Sequence, residues 1–492
     1  MRSATSWIQL SQLSAAELRT LQDRAVARFV QQELHPFSPW YRKRLDEAGI
    51  DPRTIRGVGD LARLPFTTKQ DLLAAQSDPK RRTDFILQPT PEAIGAHWPL
   101  ARKLRLLLGG ERARAELRFA YTPNFLTFTT GRSSEPVAFA YTPHDLDVLG
   151  EAIARMFDIA KIDSNDERVA NLFPFAPHLA FWALTIGGFT TGRMVVPSGG
   201  GKVMGTDGSL KLAERIGATA LVGTPGFLYH MLRQGAEERR NLSRVKTIVL
   251  GAEKVPPGLK VKMNEALMAC GAKPVTILGT YGFTESRMAF AECPTAYEVS
   301  SGYHVYPDLG VFEVVDPKSG KPVPEGADGE LVYTGLTGHG TCVARYRTGD
   351  LCIGGITTAP CPHCGRTLPR IASELRRVSE QHALNLTKIK GTLVDLSTMG
   401  SVLMQLRDVE EWQVVLRKRN DDPLELDELE VLFSPRAGAR VEATTATIKK
   451  AIFDATEVAP NRITAMGREQ LLASLGMETE MKEKRYLDLR PR

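Results

Sequence analysis

The chain of 492 residues has no run approaching the roughly 18 to 20 apolar residues that a membrane-spanning helix requires. It also lacks an export signal. Its first residues, MRSATSWIQLSQLSAAELRTLQDRAV, read as an amphipathic helix without an apolar core or a small-residue cleavage site. A cytoplasmic protein with no membrane partner is therefore expected. Cysteine is scarce, with six residues, and in a reducing compartment any cluster among them asks for a metal before a disulfide. Internal repeats and low-complexity segments are absent. No basic stretch carries the interleaved aromatics of a nucleic-acid platform, so nucleic acid is not expected as a partner. The net charge of +6 is small for this length. Lysine and arginine gather between Lys80 and Arg114 (PKRR, ARKLR, ERARAE), where they read as a solvated face or as contacts to an anionic ligand.

What is present describes a globular protein: 42% hydrophobic and 24% charged residues, in a chain too long for one core. Residues 12–35 have apolar residues at helical spacing, with a break at Pro36 and Pro39 and a second helix to about residue 48. From about 150 to 290, helices alternate with apolar strand runs (GRMVVP, TALVGTP, KTIVLGAE, PVTILGTYG). That alternation predicts a largely parallel sheet covered on both faces. VFEVVD and GELVYTGL, with turn residues between them, read as a hairpin meander over 310–350. Beyond about 375, EEWQVVLRKR and LELDELEVLFS fit a strand–helix–strand pattern in a small α+β domain, followed by a basic ending.

Four stretches carry chemistry by their order. FTTGRSSEP (128–136) offers hydroxyl and backbone donors around a glycine, as a phosphate loop does. GAEKVP (251–256) and GTYGFTES (279–286) each follow a strand, and in an open parallel sheet they would converge on one crevice at the strand carboxyl ends. YRTGD (346–350) follows the meander. Taken singly, each reads more readily as a polar or glycine turn or a solvated loop; all four in this order are hard to obtain by chance. Separately, CPHC (361–364) has the spacing that lets two thiolates face one tetrahedral ion, and Cys293 with His304 would complete a Cys3His set. The other reading is a reduced pair beside an unrelated histidine. Cys270, Cys342 and Cys352 read as packing residues.

In this order the motifs resemble the acyl-adenylate-forming (AMP-binding) superfamily, and within it the phenylacetate–CoA ligase-like branch. FSPWYRKRLDEAGI and DLARLPFTTKQDL at the start, CGRTLPRI (364–371) and the final KEKRYLDLR (482–490) extend the resemblance across nearly the whole chain. The segment from about 78 to 122 resembles it least. The resemblance implies an α/β fold with a large adenylation domain over 1–375 and a mobile α+β domain over 376–492. It places Thr129, Thr130, Gly131 and Ser133 on the phosphate loop of an ATP site. Gly251, Ala252 and Glu253 fall beside the adenine, with Tyr281 stacked on or beside it and Gly282 also among the cofactor-binding residues. Thr284 would bind phosphate, Glu285 magnesium, Asp350 the ribose hydroxyls, and Lys482 the charge developing at the α-phosphate. Gly391 would line the coenzyme A tunnel, and the four Cys and His ligands would hold a structural zinc.

Two departures stand out. Ser134 and Glu135 replace the glycine and lysine usual in the phosphate loop, and the hinge Gly-Arg-x-Asp is missing from RRVSEQHALNLTKIKG (376–391). The first motivates a non-catalytic nucleotide-binding relative. The second motivates transfer of the acyl group to an amine or a carrier protein instead of coenzyme A. The substrate would be a carboxylic acid. Phe173, Phe175, Phe181 and Trp182 suit an aromatic one, although a core helix would use the same residues. A homodimer fits the sequence equally with a monomer.

Overall fold

The computed structural model describes residues 6–129, 135–162, 166–253, 255–377, 386–389, 392–419, 427–476 and 483–490. Ser14 caps the first long helix, Ala15–Phe29, by accepting from the Glu17 amide while the Glu17 side chain accepts from the Ser14 amide. The expected break at Pro36 does not occur. The chain passes from that helix into a π-turn, Val30–Leu34, and then a short helix, His35–Phe37. Pro36 sits in the first turn of that short helix, where its missing N–H costs nothing. Pro39 opens the next helix, Pro39–Glu47, behind the Ser38 cap.

The alternation after residue 150 forms a six-stranded sheet in the order Met194–Pro197, Arg168–Asn171, Ala220–Gly223, Thr247–Leu250, Thr276–Phe283, Met288–Ala291. Every pairing is parallel except the last, an antiparallel turn-back of Thr276–Phe283 onto Met288–Ala291. Strands such as ALVG (220–223) and TIVL (247–250) are buried at every position, as a sheet covered on both faces requires. Helices Pro225–Glu237 and Pro257–Ala269 supply one cover, with Leu228, Leu232, Met263 and Leu267 in the core they share with the sheet.

The meander is a four-stranded antiparallel sheet: Gly310–Val315, Gly329–Gly335, Tyr346–Ile353, Glu374–Arg377. YRTGD is therefore part of a strand and not a solvated loop. Its Tyr346 and Asp350 are buried because the strand lies between two others. A small three-stranded sheet joins Ile356–Thr357, Arg370–Ile371 and Tyr303–His304.

Near the carboxyl end, Val409–Lys418 and Asp427–Pro435 pair directly and antiparallel, with Trp412 opposite Phe433. The expected strand–helix–strand order is thus corrected to a strand pair followed by the helix Val441–Thr456. Period-2 alternation identifies both strands but not how they connect. Arg462–Ala465 and Tyr486–Asp488 add to the two edges in parallel. Met399, Val414, Phe433 and Ile448 form a separate core there. This layer rests on the two covering helices. Arg233 Nη1 lies 2.9 Å from Glu410 Oε1, and Lys262 Nζ donates to the Leu406 and Val409 carbonyls at 3.0 Å each.

Candidate active site

Thr247–Leu250 and Thr276–Phe283 are neighbours in the parallel sheet with Leu250 opposite Gly279, so Gly251 emerges beside Thr280 while the longer strand runs on to Thr284–Glu285. Gly251 is buried, and a Cβ there would stand 2.8 Å from Thr280 Oγ1 and 3.2 Å from Phe173 Cζ. Only glycine fits. Ala252 follows with φ +71°, a left-handed conformation that costs a non-glycine residue about 1 to 2 kcal/mol. Gly282 has Met288 O only 3.0 Å from where its Cβ would be, so the turn-back of the next strand also depends on a missing side chain.

Two hydrogen bonds join this edge to the meander. Tyr281 Oη donates to Asp350 Oδ2 at 2.8 Å, and Tyr346 Oη donates to Glu285 Oε1 at 2.6 Å. Residues from two separate motifs, GTYGFTES and YRTGD, meet there. Glu285 sits on a single 3-10 turn, Thr284–Ser286, and is buried, while Thr284 beside it is half-buried. A carboxylate is the oxygen donor that a hard cation takes.

Of the phosphate loop, Thr130, Gly131 and Ser133 lie outside the described residues. The loop's ends are braced: the Thr129 amide donates to Val137 O at 3.0 Å, and the Val137 amide donates to Thr129 Oγ1 at 2.9 Å. Glu135 is exposed. Lys482 and Gly391 also lie outside the described residues. The residue after Lys482, Glu483, packs on the Pro225–Glu237 helix at Gly226, where a Cβ would stand 1.6 Å from its Oε1. Burial raises the Glu483 carboxyl to about 7, against the pull of Arg485 and helped by the nearby charges of Glu253 and Glu411. The tail thus reaches the Gly251–Glu253 edge.

Cys293, His304, Cys361 and Cys364 come together with all ligand atoms within 4.8 Å of one another, the one such cluster among the described residues. Cys293 Sγ lies 2.9 Å from His304 Nε2 and 3.7 Å from Cys361 Sγ, and Cys364 Sγ lies 3.7 Å from His304 Nε2. A tetrahedral zinc with sulfur ligands at about 2.3 Å would set sulfurs about 3.8 Å apart. The knuckle that brings the pair round is closed by the Cys361 amide donating to Arg366 O and by Gly365 at φ +72°. Hydrogen bonding from Cys293, then from His304 and Arg366, holds the Cys364 thiol down at about 2, the form a metal binds. The remaining cysteines behave differently. Burial pushes Cys342 up to about 12 and Cys270 and Cys352 to about 11, in keeping with packing roles.

The aromatic set splits. Phe173 and Phe181 are buried, Trp182 is half-buried, and Phe175 is 54% exposed. Phe175 and Phe181 meet edge-on at 5.3 Å, Phe181 and Trp182 at 5.4 Å, and Phe173 touches the Gly251 edge. Sequence reasoning missed the ion pair behind Glu285. Arg287, at φ +60°, pairs with buried Asp145 at 2.5 Å, and both line a cavity with Glu285, Phe29 and Cys342. The partners are 142 positions apart, and no local signal joins them.

Comparison with known proteins agrees with this geometry. The family described as AMP-binding enzyme matches residues 146–345. The phenylacetate-coenzyme A ligase of Thermus thermophilus is 29% identical over 429 residues, covering 86% of this chain and 82% of that protein. The enzyme of the same name from Aromatoleum evansii is 26% identical, covering 82% and 76%. Among solved structures, a 2-hydroxyisobutyryl-CoA ligase in its postadenylation state, complexed with 2-HIB-AMP, superposes with a TM-score of 0.76. It shares 22% identity over 100% of this chain and 94% of that one. The same ligase with CoA in its thioesterification state superposes at 0.61, with 22% identity over 98% and 91%.

Proposed function

We propose that this chain, a member of the acyl-adenylate-forming (AMP-binding) superfamily in its phenylacetate–CoA ligase-like branch, activates an aromatic carboxylic acid with ATP and passes the acyl group to coenzyme A. The observation that carries this reading is the meeting of Tyr281, Asp350, Glu285 and Tyr346 beside the Gly251–Glu253 edge. In the first step a carboxylate oxygen of the acid attacks the α-phosphorus of ATP and the bond to pyrophosphate breaks. Little covalent chemistry is left to the protein, so positioning and charge stabilisation do the catalysis.

The roles follow from chemistry and place. The glycine edge admits a flat base, with Tyr281 beside it. Asp350 has oxygens for two sugar hydroxyls once Tyr281 Oη has fixed its orientation. Glu285, held by Tyr346, would bind magnesium, whose positive charge offsets that of the phosphates. Thr284 and the loop from Thr129 through Thr130, Gly131 and Ser133 would donate to phosphate oxygens. Lys482, which precedes Glu483 in the chain, would stabilise the charge building at the α-phosphate. Phe173, Phe175, Phe181 and Trp182 would shape the pocket for an aromatic acid. We take residues 1–375 as the adenylation domain and 376–492 as the mobile one, with Gly391 on the coenzyme A side.

Cys293, His304, Cys361 and Cys364 fit zinc by donor type and spacing. Four protein ligands leave no open position, so the ion would be structural. The test of the function is exchange of labelled pyrophosphate into ATP across a panel of aromatic and aliphatic acids, with thioester formation followed on adding coenzyme A. Exchange with an arylacetic or benzoic acid is expected. No exchange with any acid, together with no binding of ATP by calorimetry, overturns the reading.

A further inference from the structure

The segment that least resembles the family folds into three consecutive helices, Pro91–His97, Leu100–Leu108 and Gly110–Tyr121. The middle one, LARKLRLLL, is oriented against ordinary expectation. Its leucines face outward: Leu100, Leu104, Leu107 and Leu108 are 70, 45, 65 and 84% exposed. At helical spacing these four span an arc of about 100°. The opposite side is bound to the body of the protein by a charged clamp. Arg102 Nη1 lies 2.5 Å from Glu33 Oε1, its guanidinium stacks 3.6 Å from the Trp98 ring centre, and Leu106 packs on the main core. Glu33 is buried and also accepts from Tyr121 Oη at the end of the third helix. The clamp decides which face is turned to the outside.

Lys103 and Arg105 fall on the two borders of the leucine arc. Between Leu100 and Tyr121 there are six basic and two acidic residues, so with Glu33 included the element carries a net charge of +3. That charge discriminates among occupants. A second copy of the chain, docked by twofold symmetry, would bring this positive face against itself. Leucine is also under-represented among the residues that dominate protein–protein interfaces. An apolar stripe bordered by cations is instead the arrangement that seats a helix at the boundary of an anionic bilayer. No described helix is long and apolar enough to cross a membrane, and an interfacial helix does not need to be.

We propose that the Leu100–Leu108 helix docks the protein on anionic membrane surfaces, its four leucines entering the headgroup boundary and Lys103 and Arg105 meeting lipid phosphates. This requires neither the nucleotide site nor its activity. The experiment is co-sedimentation of the full chain with phosphatidylcholine vesicles with and without 30% phosphatidylserine, at low and high salt, for the parent and for Leu104→Glu with Leu108→Glu. Both positions are exposed, so folding should persist, and thermal melting checks it. The parent should bind the anionic vesicles at least tenfold more than the neutral ones and release in high salt, and the double variant should lose at least tenfold. Leu104→Ala with Leu108→Ala should give a smaller loss. Equal binding to both vesicle types, or a double variant that binds like the parent, overturns the proposal. So does a parent that ignores vesicles, whether it is a dimer that the double variant dissociates, which would assign the face to a second copy, or a monomer, which would leave it to a protein partner.

Discussion

Removing Arg233 should separate the two half-reactions. Its side chain is about 10% exposed and lies 2.9 Å from Glu410 and 3.8 Å from Glu411, across the junction between the helix Pro225–Glu237 and the carboxyl-terminal sheet. Glu411 also takes Arg485 Nη1 at 2.7 Å. With Arg233→Ala, the buried Glu411 keeps Arg485 and the half-buried Glu410 loses its ion-pair partner. Breaking a buried pair costs about 3 to 5 kcal/mol when the leftover charge stays buried. Two features lower that figure. None of the buried Arg233 N–H groups is aligned for a hydrogen bond, and Glu410 lies at the margin, where water reaches it once the layers part. About 2 kcal/mol remains, a roughly thirtyfold shift away from the docked arrangement. Pyrophosphate exchange should fall at least tenfold, while thioester formation from synthetic acyl-adenylate and coenzyme A should hold within about twofold. Arg233→Lys should restore most of the exchange. Equal losses in both steps, with a lowered melting temperature, would show that Arg233 merely stabilises the fold. No loss in either would show that the junction does not limit adenylation.

Three further outcomes are expected. Protein purified without added metal should contain about one zinc per chain by elemental analysis, and Cys361→Ser with Cys364→Ser should remove it. Substoichiometric metal unchanged by the pair would exclude the site. Because burial raises the Glu483 carboxyl to about 7, docking favours its protonated form, so that contribution is complete below about pH 4.5 and lost as pH rises through 7. Glu483→Gln should flatten that part of the pH profile of exchange, and an unchanged profile would refute the assignment. Lys482→Ala should cost adenylation on the order of 2 to 4 kcal/mol, a hundredfold or more, while largely sparing the second half-reaction. A parallel loss in both would point to a destabilised tail.

The alternating strands and helices were legible because parallel strands buried on both faces read as continuous apolar runs, and Gly251 and Gly282 marked where the backbone turns beneath a ligand edge. The mistakes lay where a local rule met a distant partner. Pro36 read as a break because nothing nearby announces a π-turn, and the polarity of YRTGD hides that its Tyr346 and Asp350 lie in a strand and bond across to another sheet. The pairs Tyr281–Asp350, Arg287–Asp145 and Arg233–Glu410 depend on how layers pack, which residue spacing does not encode. The metal cluster was readable through its close cysteine pair. That Cys293 and His304 join it depends on the small sheet pairing Tyr303–His304 with Arg370–Ile371.

The last strand, Tyr486–Asp488, runs parallel to Val409–Lys418 with Val414 opposite Tyr486, and Tyr486 meets the Trp412 ring edge-on at 5.6 Å. Such pairing works as a ruler. Slipping by one residue would turn Tyr486 out of its place against Trp412, so the shortest slip that keeps side chains on their own faces is two residues, about 6 to 7 Å. Lys482 stands four positions upstream, and a displacement of that size would carry an ammonium out of reach of any phosphate it served. If Lys482 serves a phosphate as proposed, the register of Tyr486–Asp488 would set its reach. An insertion between Glu483 and Tyr486 should then push the charge past its mark.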